Sequence, residues 1–288
     1  MMKVLVTGGT GNAGSGAVEA LLRRGLSVRV LSRNKQAKLP PGAELAIGDL
    51  LNPESVRSAL KSADKLCLIV GNVADELTQA LLTAALAREA NIKHLVYLSV
   101  YRAERFPEAP HFIAKNTVET SLKALGIPST ILRPGYFFQN DAQLKPMLTG
   151  PGIYPTPVGK IGVAAIDIRD IADAAAVSLT TDGHIGKTYN LIGPAPLSGP
   201  RAAAIWSEAL GRPIQYVDPR LDMFEEQFSQ MLPAWLALDL RLMFSAYLEG
   251  RLAPTDGDAD AASLTELIGH TPRRYEDFVH ETVAGWNK

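Results

Sequence analysis

Lys3-Val-Leu-Val-Thr-Gly-Gly-Thr-Gly-Asn-Ala-Gly14 is the stretch that decides the fold: a short apolar run that ends in a cluster of glycines. Read from Gly9 the cluster fits G-x-G-x-x-G, and read from Gly8 it fits G-x-x-G-x-x-G. An amphipathic stretch, Ala17 to Arg24, follows it, and a second apolar run, Val28 to Ser32, closes a unit of about 30 residues. A glycine turn between a strand and a helix lets the backbone close on a phosphate, which then sits on the unpaired N–H groups of the helix N-terminus. This context favours a dinucleotide-binding turn over an ordinary strand–helix connection.

Composition and charge exclude several classes of function. The chain has 288 residues, of which 47% are hydrophobic, and a net charge of −1 without a basic block, which argues against direct binding to nucleic acid or to an anionic membrane. One cysteine, Cys67, lies in an apolar run, so we expect a buried residue, no internal disulfide and a cytoplasmic location. The first strand begins almost at Met1, which argues against a signal peptide. The apolar stretch from Met231 to Leu248 contains Asp239 and Arg241, so we expect a helix of a soluble protein and not a membrane span.

Apolar runs and helical patterns alternate along the first two-thirds of the chain. The apolar runs predict buried parallel strands at 3–7, 28–32, 44–47, 66–70, 94–99 and 129–132. Helical patterns lie between them at 13–24, 53–61, 75–90 and 113–125. This alternation, with right-handed crossovers, predicts the α/β class, with a Rossmann-type doubly wound parallel sheet.

The pattern changes after Pro134. Residues 135–160 are rich in Gly, Pro and aromatic residues and predict a long functional loop region. A helix at 166–181, starting near Asp170, and a strand at 187–192 return to the sheet, after which the chain is mostly helical. We therefore expect a Rossmann domain formed by residues 1–134 and about 161–192. We also expect a smaller, mostly helical domain on the substrate side, formed by residues from about 135 to 160 and by residues 193–288.

The end of the second predicted strand indicates which cofactor is preferred. A fold that prefers NAD places Asp or Glu there to bond the ribose 2′-hydroxyl, whereas this chain has Arg33. A guanidinium pairs with a 2′-phosphate and stacks on adenine, so NADP(H) is preferred and NAD(H) is the second choice; the alternative is that Arg33 is a solvated loop residue. Asp49, followed by Leu50, is placed to accept a hydrogen bond from the adenine amino group. The run Val70-Gly71-Asn72 is expected to pass beneath the adenine ribose.

Seven motifs follow one another along the chain: Thr7-Gly-Gly-Thr-Gly-Asn-Ala-Gly14, Ser32-Arg33-Asn34, Gly48-Asp49-Leu50, His111-Phe-Ile-Ala-Lys115, Leu132-Arg-Pro-Gly-Tyr-Phe-Phe-Gln-Asn140, Ile168-Arg169-Asp170-Ile171-Ala172 and Gly186-Lys-Thr-Tyr-Asn-Leu-Ile-Gly-Pro194. Together they resemble the NmrA-like branch of the atypical short-chain dehydrogenases/reductases. The resemblance implies a Rossmann domain that binds NADP(H) and a small C-terminal domain that shapes a cleft. It does not fix an activity, because the family includes quinone reductases, triphenylmethane dye reductases and proteins that only sense the NADPH/NADP balance.

The residue patterns and this resemblance together give the expected cofactor-binding residues. They are Gly8, Thr10, Gly11, Asn12, Ala13, Gly14, Arg33, Asp49, Leu50, Val70, Gly71, Asn72, Ser99, Lys115, Pro134, Tyr136 and Phe137.

The catalytic helix departs from the pattern of the wider superfamily, which carries Tyr-x-x-x-Lys where this chain carries His111-x-x-x-Lys115. Side chains at i and i+4 share a helix face, so Lys115 is expected to hold the cofactor ribose, the alternative being a surface lysine. A lysine cation close to His111 favours a neutral imidazole, which is a poor acid. We therefore expect reduction of ordinary ketones to be disfavoured, and quinones, conjugated double bonds and cationic dyes to remain open as acceptors. The alternative is that His111 lines an inert cofactor pocket.

Two tyrosines are candidates for the missing phenol. Tyr101 follows the fifth predicted strand and Tyr136 follows the sixth, although aromatic residues in such loops are commonly pocket walls. Tyr136 joins Lys115 and His111 as a predicted catalytic residue. Ser99 matches the serine that follows this strand in the superfamily, the alternative being a strand-end cap. The other histidines show no spacing typical of a metal site, and no G-x-S-x-G hydrolase motif is present.

These features favour an NADPH-dependent reductase that transfers hydride to a quinone-like or other conjugated small molecule. The competing hypothesis is a non-catalytic NADP(H)-binding redox sensor of the NmrA type, which changes its affinity for a protein partner. Epimerisation of a sugar nucleotide is weakened because it needs the tyrosine that His111 replaces. The sequence leaves both a monomer and a homodimer open.

Overall fold

A parallel sheet of seven strands forms the centre of the chain, whose computed structural model describes residues 2–217, 220–255 and 257–286. The strands in chain order are β1 (Lys3–Thr7), β2 (Ser27–Ser32), β3 (Glu44–Ile47), β4 (Lys65–Leu68), β5 (His94–Leu98), β6 (Ser129–Pro134), β7 (Tyr136–Phe137), β8 (Ile153–Tyr154), β9 (Ala165–Ile166), β10 (Thr188–Leu191) and β11 (Gln215–Tyr216). The sheet has the order β10-β6-β5-β4-β1-β2-β3, and two small parallel pairs, β11-β8 and β7-β9, lie outside it. The predicted fold class is confirmed.

The helices cover both faces of the sheet and form most of the C-terminal part. They are α1 (Asn12–Arg23), α2 (Pro53–Leu60), α3 (Glu76–Glu89), α4 (Pro110–Ala124), α5 (Lys145–Thr149), α6 (Ile168–Thr180), α7 (Gly199–Leu210), α8 (Leu221–Ser229), α9 (Ala234–Leu248), α10 (Gly257–Ile268) and α11 (Tyr275–Trp286). Two 3₁₀ segments lie at Ala103–Arg105 and Phe138–Leu144. The segment 135–160, predicted as a long loop, therefore contains β7, a 3₁₀ segment, α5 and β8.

The direction of the chain reverses at the boundary between β1 and β4. From β1 the chain adds β2 and β3 on one side, then crosses back to place β4, β5 and β6 on the other. The connections that leave the carboxyl ends of β1 and β4 therefore run in opposite directions and leave a crevice between them. In open parallel sheets, ligands bind in such a crevice.

Local capping explains where the helices begin. Asn52 accepts hydrogen bonds from the backbone N–H groups of Glu54 and Ser55, and Pro53 occupies the first helical position of α2, where the predicted helix 53–61 begins. α6 begins at Ile168, earlier than the predicted start near Asp170, because the Asp167 carboxylate accepts from the N–H of Arg169 at 2.8 Å. α4 likewise begins at a proline, which places the predicted site histidine in its first turn.

Three apolar clusters stabilise this arrangement. One packs α1 and α6 against a face of the sheet, and a second packs α2, α3 and α4 against the other face. The third is rich in aromatic residues and joins the segment 135–165 to the C-terminal helices through Phe138, Trp206 and Phe278. Tyr101 and Phe112, from the predicted Rossmann part, also belong to this cluster. The proposed division into two domains stays a prediction.

Two further predictions concern the burial of Cys67 and the apolar stretch from Met231 to Leu248. Cys67 is buried, and burial raises the pKa of its thiol to about 12, so it is the small apolar core residue that was expected. The apolar stretch near residue 240 forms α9. Within the ranges that the structure describes, no helix is long and apolar enough to cross a membrane.

Candidate functional site

A cleft of about 970 Å³ opens at the carboxyl ends of the central strands, at the crevice between β1 and β4. Its size is typical of a cofactor site. The structure brings together here nearly all of the predicted cofactor-binding residues: Gly8, Thr10, Gly11, Asn12, Ala13, Gly14, Arg33, Asp49, Leu50, Val70, Gly71, Asn72, Ser99, Lys115, Pro134 and Phe137. His111 lines the same cleft. Tyr136 does not.

The glycine turn leaves the N-terminus of α1 open to the cleft. Gly8 has φ +63°, and a Cβ on Gly14 would lie 2.1 Å from the carbonyl oxygen of Gly8, so neither position accepts a larger residue. The N-cap of α1 is Gly11, which has no side chain to bond the first N–H groups, and the first turn carries no acidic residue. These free donors and the helix dipole fit a phosphate group.

The same cleft carries the groups predicted to select the cofactor. Arg33 is exposed and, among the described residues, forms no ion pair or hydrogen bond within the chain. The Oδ1 atom of Asp49 accepts from the N–H of Leu51 at 2.9 Å, so the carboxylate is held by its own turn. Gly71 has no atom within 4 Å of where its Cβ would be, which leaves its backbone accessible. A free guanidinium next to a helix N-terminus is a donor set that fits a dinucleotide with a 2′-phosphate.

A buried carboxylate that sequence reasoning missed lies between the predicted catalytic residues. Glu76, the first residue of α3, is 3% exposed. Its Oε2 atom lies 2.6 Å from Nδ1 of His111, and its Oε1 atom lies 2.7 Å from Nζ of Lys115. The expectation of a neutral imidazole considered the lysine cation alone. The structure places a carboxylate against both groups, and the neutral imidazole stays a prediction.

The ammonium group of Lys115 is surrounded by protein acceptors. Besides the ion pair with Glu76, Nζ donates to the carbonyl oxygens of Val70 at 3.0 Å and Leu98 at 3.2 Å. The ring of Tyr97 lies beneath it, with its centroid 5.3 Å away. An ammonium group has three N–H donors, and the two carbonyl oxygens accept from two of them, which leaves one for a ribose hydroxyl. The ribose role of Lys115 stays a prediction.

Asp239 of α9 ties the C-terminal helices to this cleft. It is 1% exposed, and its Oδ1 atom accepts from the backbone N–H of His111 at 3.1 Å. Its Oδ2 atom accepts from the side-chain amide of Asn72, also at 3.1 Å. The sequence showed Asp239 only as a charge that makes α9 unsuitable as a membrane span. The structure shows that it fixes the N-terminus of α4 and the loop after β4.

Tyr136 does not fit the role of a catalytic phenol. Its hydroxyl donates to Oδ1 of Asp141 at 2.7 Å in the core, where Tyr154 and Tyr275 donate to Oδ2 at 2.8 and 2.5 Å. Burial raises the pKa of Tyr136 well above its usual range, and burial also raises the pKa of Asp141. Its neighbour Phe137 lines the cleft instead. The assignment of Tyr136 to the cleft is therefore corrected to a structural role.

The other two hydroxyl candidates are held by the protein in a similar way. Tyr101 is 2% exposed, and its hydroxyl donates to Asp260 at 3.3 Å. Ser99 lines the base of the cleft, but its hydroxyl donates to Glu119, which also pairs with Arg133. In the part of the chain that the structure describes, no tyrosine lines the cleft.

One group of potential metal ligands lies apart from the cleft. Atoms of Asp170, Asp173 and His270 lie within 4.8 Å of one another. The backbone N–H of Arg273 donates to Asp170 at 2.8 Å, and its guanidinium bonds both aspartates. Arg273 therefore supplies the positive charge that balances Asp170 and Asp173. The group joins α6 to the segment after α10.

Comparison with known proteins assigns the chain to a protein family. The model of the NmrA-like family matches residues 1–278. The NAD(P)H azoreductase of Xenophilus azovorans is 32% identical, over 98% of this chain and 99% of the azoreductase. The NADPH-dependent quinone oxidoreductase of Escherichia coli, solved in complex with NADPH, has a TM-score of 0.85 at 25% identity and covers 99% of this chain and 100% of its own. The triphenylmethane reductase of Citrobacter sp. has the same TM-score and identity and covers 98% and 100%. The chain therefore belongs to the NmrA-like family.

Proposed function

We propose that this protein is an NADPH-dependent reductase that passes a hydride to a conjugated small molecule, such as a quinone or a dye. The observation that carries this proposal is a single cleft with an open helix N-terminus, a free Arg33 and the buried Glu76–His111 pair. The similar proteins named above are an azoreductase, a quinone oxidoreductase and a triphenylmethane reductase, which supports a conjugated acceptor.

Each part of the cleft has a place in cofactor binding. The first N–H groups of α1 hold the pyrophosphate, Arg33 pairs with the 2′-phosphate and Asp49 accepts from the adenine amino group. Lys115 would hold the ribose of the nicotinamide through the N–H group that Val70 and Leu98 do not accept. NADPH, when bound, supplies the hydride, and the protein supplies orientation and exclusion of water.

The walls of the cleft favour a flat, apolar acceptor. Phe137, Val73 and Val100 line it and are partly buried. Reduction of a ketone needs an acid next to the carbonyl oxygen, and His111 stands in this chain where the wider superfamily has the tyrosine that supplies it. Acceptors with extended conjugation take a hydride more readily, because the developing charge is delocalised.

The experiment that tests this function follows the absorbance of NADPH with a panel of a neutral azo dye, a benzoquinone and a cationic triarylmethane dye. A Gly11→Ala variant checks the phosphate site. A Cβ at this position meets only the carbonyl oxygen of Gly8, at 3.4 Å, so the fold is kept, while Gly11 lines the cleft in which the phosphates are proposed to bind. We expect NADPH affinity to fall roughly tenfold or more, the loss of about one charge-assisted hydrogen bond. Gly285→Ala, where a Cβ meets nothing within 4 Å, is the matched control.

Two results would contradict the proposal in different ways. Tight binding of NADPH without turnover of any acceptor would favour the redox sensor. Unchanged NADPH affinity in Gly11→Ala would contradict the placement of the phosphates. The cytoplasmic location and the oligomeric state stay predictions, and the proposed reaction depends on neither.

A further inference from the structure

We propose that Glu76 positions His111 so that Nε2 of His111 donates the proton that a neutral acceptor needs on reduction, whereas a cationic acceptor is reduced without it. This inference rests on the proposed function. It deepens that function by naming the proton donor, the residue that positions the donor and the class of acceptor that depends on both.

The geometry fixes which ring nitrogen is available. An ionised carboxylate only accepts hydrogen bonds, so the 2.6 Å contact between Oε2 of Glu76 and Nδ1 of His111 places a hydrogen on Nδ1. Nε2 has no partner among the described residues. The side chain of His111 is 19% exposed and lines the cleft. Nε2 is therefore the ring nitrogen that is left to contact a bound hydride acceptor.

The charge of Glu76 is stabilised in its buried position. It lies in the first turn of α3, where the helix dipole favours an anion, and Lys115 lies 2.7 Å from Oε1. No hydrogen-bond donor of suitable geometry reaches Oε1 among the described residues, so Lys115 acts on it as a charge and not through an aligned N–H group. Oε2 is left to His111. The carboxylate on Nδ1 orients the ring, so that a ring protonated at both nitrogens carries the proton it can give on Nε2.

The backbone of His111 is held as firmly as its ring. Its N–H group donates to Asp239 of α9, and the same carboxylate accepts from Asn72 in the loop after β4. α3 thus fixes the imidazole and α9 fixes the main chain. General acid catalysis requires such a positioned donor, because proton transfer needs hydrogen-bond distance to the reacting atom.

Two classes of hydride acceptor differ in whether their reduction takes up a proton. A neutral azo group takes a hydride from NADPH at one nitrogen and the Nε2 proton of His111 at the other. The N=N π bond breaks, two N–H bonds form, and the hydrazo compound and NADP⁺ result. His111, left neutral, regains its proton from water. A quinone balances in the same way and gives the hydroquinone. A triarylmethane cation takes the hydride at its central carbon and becomes neutral, so no proton is transferred.

The test compares kcat for a neutral azo dye with kcat for a cationic triarylmethane dye. In His111→Gln we expect the ratio of the two to fall roughly 10²-fold, the lower end of the contribution of a general acid. In Glu76→Gln we expect a smaller fall, roughly tenfold, because the amide keeps an acceptor for Nδ1 and loses the charge. His280→Gln, on the exposed face of α11, is the matched control and should keep the ratio of the wild type.

A second measurement does not depend on turnover. In the ¹H–¹⁵N NMR spectrum of the ring nitrogens, His111 should give a hydrogen-bonded Nδ1–H signal, assigned by its loss in His111→Gln, that shifts upfield in Glu76→Gln. A parallel fall of both activities with an unchanged ratio would overturn the proposal and give the pair a merely structural role. Absence of the Nδ1–H signal would also overturn it. If the wild type reduces neither dye while the NMR signal is present, the proposed function itself fails.

Discussion

Replacing Lys115 by methionine removes the cation next to a buried carboxylate. The side chains of Lys115 and Glu76 are 4% and 3% exposed, and Nζ and Oε1 are 2.7 Å apart. Removing one partner of a buried ion pair costs about 3–5 kcal/mol, since the other charge is left without compensation. The carbonyl oxygens of Val70 and Leu98 lose a donor as well. We therefore expect the free energy of unfolding to fall by about 3–5 kcal/mol and the midpoint of thermal unfolding to fall on the order of 10 °C.

A double-mutant cycle with Glu76→Gln isolates the contribution of the pair. Urea unfolding followed by circular dichroism gives the free energy of each variant, and we expect the double variant to recover about 1–3 kcal/mol relative to the sum of the single ones. Lys123→Met, on the same helix and exposed, is the matched control and should stay within about 0.5 kcal/mol of the wild type. An additive cycle would refute the reasoning. So would a Lys115→Met variant within about 1 kcal/mol of the wild type.

Three further perturbations test other parts of the structure. Arg33→Ala should weaken NADPH roughly 10- to 100-fold and NADH far less, because only NADPH has the 2′-phosphate; calorimetry measures both, Lys35→Ala is the control, and equal losses would contradict the assignment. Burial lowers the pKa of His94 to about 4. The unfolded chain takes up this proton near pH 6.5, so stability is full above that pH and falls by about 3 kcal/mol towards pH 4. Urea unfolding across this range should show the slope, and a slope as steep in His94→Gln would contradict it. Tyr136→Phe should lose about 1–3 kcal/mol of stability with the bond to Asp141 and keep its kcat; lost turnover at unchanged stability would restore this tyrosine as the acid.

The sheet and the cofactor end of the cleft could be predicted from sequence because their signals are local. The glycine turn is contiguous, and a Cβ at Gly14 would collide with Gly8, so the spacing of the motif records a close approach of the backbone. Arg33 follows β2 directly, at the point where the fold presents a residue to the adenosine. In each of these places the neighbouring sequence determines the position of the side chain.

Glu76 could not be predicted in this way because its partners are distant in sequence. An acidic residue in the first turn of a helix is adequately explained by the helix dipole. The side chain of Glu76 reaches its partners because β4 and β5 are neighbours in the sheet. The helix that follows β4 then begins next to the helix that follows β5. With the strand order known, the first turn of α3 is expected to face His111 and Lys115.

The error at Tyr136 has a different physical origin. Successive side chains of a strand point to opposite faces, so only one of Tyr136 and Phe137 can face the cleft. Both are aromatic, and β7 is two residues long, too short to show an alternating pattern. The buried Asp141, five residues later, decides the matter because its Oδ1 accepts from a hydroxyl that Tyr136 has and Phe137 lacks.

The exchange of tyrosine for histidine reverses the charge that the site must supply. A tyrosine acid is neutral before it gives its proton and anionic afterwards, so a neighbouring lysine cation assists it. A histidine acid is cationic before and neutral afterwards, so the same lysine opposes it and an anion is needed. Glu76 meets both requirements from one position: Oε1 offsets the charge of Lys115, and Oε2 supports the imidazolium of His111. In the proposed reaction, the lysine can therefore bind the cofactor while His111 gives its proton to a neutral acceptor.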